Sequence, residues 1–146
     1  MKTPANIESA VRSVLDQFAM AYTNRDVARL RATFATDADV LVYGTGADEK
    51  CVGLAEIERH VMRDWAQSEK ASITLGRTSV SSAGAVAWVA SDVTFNVTAG
   101  GSAVTMPGRL TAVLERRAEG WLLVQTHFSL PATGQSEGDS FPGQKS

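Results

Sequence analysis

Beyond Lys70 the apolar pattern changes its period, and that change constrains the fold more than any other feature of this 146-residue chain. Before it, apolar residues recur three and four apart. Ile7, Val11, Val14, Leu15, Phe18 and Tyr22 mark one face of a first helix, and Val27, Leu30 and Phe34 mark a short second one. Leu54, Ile57, Val61, Met62 and Trp65 mark a third helix, running from about Leu54 to Ser68. Thr3 is placed to cap the first helix with Pro4 in its first position, and Asp26 to cap the second. A short strand, 38–43, ends at Gly44-Thr45-Gly46. After Lys70 come four strand-like runs, 72–81, 85–98, 104–117 and 121–130. Consecutive strands favour antiparallel pairing, and amphipathic helices must bury their apolar faces against the sheet. The predicted fold is α+β: a cone-shaped, curved, mainly antiparallel sheet wrapped on three N-terminal helices, enclosing a cavity of the kind that holds small molecules.

The folded unit is expected to be one domain spanning 1–131. Residues 132–146, rich in Gly, Ser and Pro with one aromatic, read as a disordered tail. A formal net charge of -2 argues against a nucleic acid or an anionic membrane as partner, since either would want a basic face. No apolar run approaches the roughly 20 residues of a membrane span. The start, MKTPANIESAV, has no apolar stretch like that of a secretory signal, so the expectation is cytoplasmic. Cys51 is the single cysteine, which rules out an internal disulfide and a cysteine-based zinc site. His60 and His127 are too distant in sequence for a local metal motif, and there is no glycine-rich phosphate loop. No metal or cofactor is therefore expected.

The last two strands carry the most specific expectation. If Ala118-Glu119-Gly120 forms a three-residue hairpin loop with Gly120 at positive φ, Thr111 falls opposite His127 and Arg109 opposite Ser129. Arg109, Thr111, Gln125, His127 and Ser129 then share one face. Facing the cavity, His127 would shuttle protons, Arg109 would stabilise an anion, and Asp92 would be a charge partner or an alternative base. Asp92 sits mid-strand as a plausible cross-strand neighbour of Arg109, though the turn between their strands leaves that register open. Trp88, Trp65 and Tyr43 would shape the cavity for a flat ligand, with Thr111 and Ser129 as polar contacts. Each has a structural alternative: a satisfied histidine, a scaffold ion pair, plain core. Asp48-Glu49 reads as a solvated turn, with a rim or gating role as the lesser alternative, His60 as a surface residue and Trp121 as packing at the hairpin base. The other face of the last strand, Leu122, Val124, Thr126, Phe128 and Leu130, would be an open apolar surface for a second copy of the chain. A slip of one residue would exchange the two faces.

Three segments resemble the nuclear transport factor 2-like superfamily, and its SnoaL-like branch most closely: AYTNRDVARLRATFATDADV (21–40), GTGADEKCVGLAEI (44–57) and RRAEGWLLVQTHFSLP (116–131). The third is also similar to the last strand of the association domain of calcium/calmodulin-dependent kinase II. The resemblance spans about residues 6–131 and implies a cystatin-like α+β roll. Within the superfamily, ketosteroid isomerases place a catalytic Asp near Val42 of this chain, or at Tyr43 if the alignment shifts by one, and an oxyanion Tyr near Phe18; neither a valine nor a phenol is a base at neutral pH, so their acid–base pair is not carried over. Of the Asp-Arg-Asp set of the epoxide hydrolases, Asp92 and Arg109 supply two members, and Thr111 stands where a further acid is absent. The expected function is a small-molecule-binding SnoaL-like protein for an apolar, aromatic or polyketide-like ligand; if it is an enzyme, its chemistry is cofactor-independent acid–base catalysis of isomerase, cyclase or lyase type. The alternative is a noncatalytic homodimeric module.

Overall fold

The computed structural model describes residues 2–143; residues 144–146 of the expected tail lie outside the described residues. The elements run α1 (Ala5–Thr23), α2 (Val27–Ala32), β1 (Leu41–Tyr43), β2 (Lys50–Val52), α3 (Leu54–Ala66), β3 (Lys70–Ala83), β4 (Val86–Ala99), β5 (Ser102–Arg117) and β6 (Gly120–Ser129). The strands form one six-stranded sheet in the order β2-β1-β6-β5-β4-β3. All neighbours are antiparallel except β1 and β6. The α+β roll predicted from periodicity is the fold observed. β2 was missed because three residues after a glycine-rich turn carry no readable alternation.

Local chemistry explains most element ends. Asp26 caps α2 by accepting from the Arg29 amide at 3.1 Å, as predicted. Thr3 does not cap α1; its buried hydroxyl instead donates to the Val80 carbonyl at 3.0 Å and ties the chain start to β3. Residues 132–143 contain turns closed by hydrogen bonds such as Gln135 N–H to the Ala132 carbonyl, and no helix or strand.

The helices cover one face of the sheet. Val11, Leu15 and Phe18 of α1, and Ile57, Val61 and Trp65 of α3, are spaced to fall on single stripes and are all buried. Met62, expected on the α3 stripe, is 49% exposed instead. The inner face of the sheet supplies Ala87, Val89 and Val93 from β4 and Leu110, Ala112 and Leu114 from β5.

Two bulges decide which residues face inward. In β3 the pairing with β4 shifts between Leu75 and Thr78, so the inward set passes from Ala71 and Ile73 to Val80. In β6 the pairing with β5 shifts between Leu123 and Gln125, so the inward set passes from Trp121 and Leu123 to Thr126 and Phe128. One extra residue reverses every side chain beyond it and bends the strand. The hairpin itself turns through two residues, Ala118 and Glu119, with Arg117 opposite Gly120. The β6 bulge then restores the predicted pairs Arg109–Ser129 and Thr111–His127.

Gly108 lies where β5 passes inside this bend. A Cβ there would approach the Ser129 carbonyl oxygen to 2.7 Å and the Phe95 ring to 2.9 Å. A methyl group cannot fit without moving backbone. Gly108→Ala is therefore expected to cost about 1–3 kcal/mol, lowering Tm by several degrees in a calorimetric scan; an unchanged Tm would show that the bend is looser than this packing.

Candidate active site between helices and sheet

A cavity of about 260 Å³ opens between α1, α3 and the inner face of the sheet. Phe18 and Val61 line it from the helices, and Ile73, Phe95, Val97, Met106 and Phe128 from the strands. The aromatic walls contact one another: Phe18 stacks on Phe128 at 6.1 Å between centroids, and Phe95 meets Phe128 edge-on at 5.7 Å. Val42 and Phe18 both line this space as apolar wall.

The polar groups gather at one end, from three elements. Tyr22 comes from the last turn of α1, His60 and Asp64 from successive turns of α3, and Glu49 from the loop between β1 and β2. The Tyr22 hydroxyl donates to Asp64 Oδ2 at 2.8 Å. His60 Nε2 lies 3.7 Å from Asp64 Oδ2 and 3.9 Å from Glu49 Oε2. The Glu49 carboxylate is folded back over its own loop, where it accepts from the Gly46 amide at 2.8 Å and from Arg63 Nη2 at 3.2 Å. Glycine at position 44 permits this, because a Cβ there would come within 2.2 Å of Glu49 Oε2.

Burial pushes the Asp64 carboxyl above the usual carboxylate range; His60, the Tyr22 hydrogen bond and Arg63 oppose that shift and the Glu49 charge adds to it. Burial, and then the Asp64 charge beside it, push the Tyr22 phenol far up, so Tyr22 is a proton donor in hydrogen bonds and not a base. Arg63 holds the exposed Asp48 carboxyl below its ordinary value through a 2.8 Å hydrogen bond. Trp65, its ring tilted 49° to that of Tyr22 with centroids 6.1 Å apart, donates its indole N–H to the Tyr22 carbonyl at 3.1 Å and fixes the end of α1 against α3.

Donor atoms of Glu49, His60 and Asp64 lie within 4.8 Å of one another, close enough to be considered as a cation site. The tautomer argues otherwise. Arg63 Nη2 points at His60 Nδ1 from 3.5 Å, and a guanidinium can only donate. Nδ1 is then the acceptor and Nε2 carries the proton, directed at two carboxylates. A ligating histidine needs the reverse arrangement, with its other nitrogen donating. The set fits a donor–acceptor cluster better than a metal centre.

The residues singled out from the sequence lie elsewhere. Arg109, Thr111 and His127 do share a face, as predicted, but it is the exposed outer face of the sheet, away from the helices. Asp92 is paired opposite Arg109 on that same face, and among the described residues the two make no ion pair. Tyr43 packs edge-on against His127 at 5.6 Å there, and Trp88 is 37% exposed. A shallow groove of about 220 Å³ runs past Trp88, Thr111 and Gln125. Ser129 is half-buried, and Trp65 is core rather than cavity wall. The face expected to be open is instead inward beyond the bulge, with Phe128 and Leu130 lining the cavity.

Sequence reasoning missed Tyr22, Glu49, His60 and Asp64. One signal was present: His60 and Asp64 are four apart, hence on one face of α3, and adjacent to the stripe of Ile57, Val61 and Trp65. Nothing local could have brought Glu49 or Tyr22 to them.

No helix among the described residues is long and apolar enough to cross a membrane. The SnoaL-like domain family matches residues 11–133. Among curated proteins none matches the chain at a significant level. A candidate aromatic ring hydroxylase from Novosphingobium aromaticivorans has a similar structure, with a TM-score of 0.81 at 19% identity, covering 90% of this chain and 93% of that one. A candidate dehydratase of the NTF2-like family from Streptomyces avermitilis gives 0.80 at 21% identity, covering 88% and 99%. A candidate calcium/calmodulin-dependent protein kinase II association domain from Xanthomonas campestris gives 0.73 at 21%, covering 84% and 86%. At such identities the likeness carries the fold alone, a cistern of helices and curved sheet also described as cystatin-like. With the family match spanning most of its length, this chain belongs to the SnoaL-like domain family.

Proposed function

We propose that this SnoaL-like protein binds a small, flat, largely apolar molecule in the helix-roofed cavity and moves a proton on it. One observation carries the reading: the apolar cavity and the half-buried cluster Tyr22, Glu49, His60 and Asp64 meet at the same place. Apolar walls with a few convergent polar groups are the usual form of a ligand site, and a carboxyl pushed up by burial is suited to accept a proton near neutral pH. Asp64 is the base. Tyr22 and His60 Nε2 are donors beside it, able to hold developing negative charge on the substrate. The three phenylalanine walls suit an aromatic or polyketide-like ring. The aromatic ring hydroxylase and dehydratase names of the structural neighbours are compatible with such a substrate.

A second reading rests on the outer face. Tyr43 at 36% exposure, Trp88 at 37% and Val86 at 39% lie among polar groups on a sheet face that no helix or strand among the described residues covers. We infer that this face receives a second copy of the chain, as a homodimer, and that the noncatalytic alternative is a module of this kind.

Three outcomes test these readings. Screening flat aromatic and polyketide-like carbon acids should yield a ligand that takes up deuterium from D2O. Asp64→Asn should slow that exchange by about 10²–10⁴ at saturating ligand; a ligand that binds without exchange in the native chain leaves only the noncatalytic reading. The stability of Asp64→Asn should move the other way. Asp64 is faced by Tyr22 of α1, by Glu49 of the loop and by His60 and Arg63 of α3, with Asp48 and Arg25 farther out. A carboxyl whose folded pKa is raised contributes stability at low pH that is lost as pH rises through that pKa. Asp64→Asn should therefore melt on the order of a degree or two higher at neutral pH, with the gain vanishing near pH 4; a loss of Tm at neutral pH would mean that the ionised carboxylate is structural. Finally, Trp88→Glu should shift the chain from dimer to monomer in sedimentation velocity without altering cavity binding, whereas a native chain that sediments as a monomer removes the dimer.

A further inference from the structure

The charge inventory of the cavity is one-sided. Its lining holds two carboxylates, Glu49 and Asp64, together with His60 and Tyr22, and no lysine or arginine. The nearest guanidiniums are committed elsewhere. Arg63 is shared between Asp48 at 2.8 Å and Glu49 at 3.2 Å. Arg25 donates to the Trp65 and Ser68 carbonyls at 2.8 and 2.9 Å. An anionic ligand would meet two carboxylates and no free cation. A cationic one would meet unspent acceptor capacity, because Asp64 Oδ1 has no hydrogen-bond partner among the described residues.

The walls point the same way. Phe18, Phe95 and Phe128 surround the space with aromatic surface, which accommodates an apolar ring and attracts a cation over its faces. A volume of about 260 Å³ lies just below the roughly 300–1,000 Å³ of drug-sized sites, enough for one ring with a short arm.

We propose that the cavity's ligand is a compact apolar amine, a single ring carrying one protonated nitrogen on a short arm, with its ammonium seated between Asp64 and Glu49. This rests on the cavity being the ligand site and adds the chemical class of what it takes. The ring lies on the phenylalanines and the ammonium donates to Asp64 Oδ1 and to Glu49. These are charge-assisted hydrogen bonds in a half-dry site, where they are stronger than in water. The carboxyl of Asp64, held up by burial and by Glu49, relaxes toward its ordinary ionised form when a cation arrives. The sign is opposite to that of the arginine clamp anticipated from the sequence, which would have selected a carboxylate or an enolate.

Isothermal titration of the full chain with 2-phenylethylamine, 2-phenylethanol and 3-phenylpropionate separates the possibilities, because the three share a ring and arm and differ in head-group charge. The amine should bind about tenfold or more tighter than the alcohol at neutral pH, and the carboxylate weakest. Asp64→Asn and, independently, Glu49→Gln should each bring the amine toward the alcohol's affinity and leave the alcohol within about threefold. Added salt should weaken the amine alone. Alcohol and amine binding equally, or carboxylate binding best, overturns the amine assignment and leaves the cavity reading standing. Displacement of the amine by micromolar Zn²⁺ also overturns it, assigning the acids to a metal. Binding of none of the three, with both variants folded by circular dichroism, overturns the cavity reading and the amine with it.

Discussion

The extra residue in β6 is the constraint on which the rest depends. Upstream of the bulge, Trp121 and Leu123 point to the helices; downstream, Thr126 and Phe128 do. Without it, the C-terminal half of the strand would turn its polar set, Gln125, His127 and Ser129, toward α1 and α3, and the apolar cavity wall would face water. The bulge in β3 does the same service at the opposite edge, keeping Val80 inward after Ile73. Strong bending of a sheet and a change of side-chain parity are one event here, since both follow from two residues opposing one. The cavity exists because the sheet bends, and it is apolar because the parity changes at the bend.

Given that wall, the chemistry is displaced to the helical side. Val42 and Phe18, where the resemblance to isomerases led us to look for an acid and a phenol, are both apolar and both in the wall. The polar groups come instead from one turn later in α1, from α3, and from the loop that follows β1. Asp64 and Tyr22 are held together by one short hydrogen bond, and Trp65 clamps the two helices that carry them. Glu49 reaches the cluster because Gly44 and Gly46 leave it room to fold back. Burial holds the half-buried Asp64 carboxyl above its ordinary range against the pull of His60 and Tyr22, a cost in stability that purely structural residues seldom carry.

How much of this was legible in the sequence depends on the range of the interaction. Element type follows from local period, and the change at Lys70 was enough to give three helices and four long strands in the right order. The Asp26 cap was readable because it acts within three residues. Even the pairs Thr111–His127 and Arg109–Ser129 were readable, although by compensation: a loop one residue shorter than supposed and a bulge one residue longer. The facing of that hairpin was not readable. Simple alternation treats Leu122 and Phe128 as neighbours on one face, and the bulge separates them. His60 was passed over because on a helix drawn alone it sits among charges; it becomes a site residue only when the loop bearing Glu49 is laid across it.

Cys51 gives the hairpin of β1 and β2 a further use. Its side chain is 6% exposed, paired across the ladder from the cavity-lining Val42, and burial pushes its thiol up, so the closed form is poorly nucleophilic. As the lone thiol of the chain it can react with an alkylating reagent at an appreciable rate only in molecules where this short ribbon has lifted off its neighbours. The protein thereby contains its own clock for breathing of the cavity rim: the rate of single-site modification reads the opening of the ribbon that carries the Glu49 loop, with no residue changed.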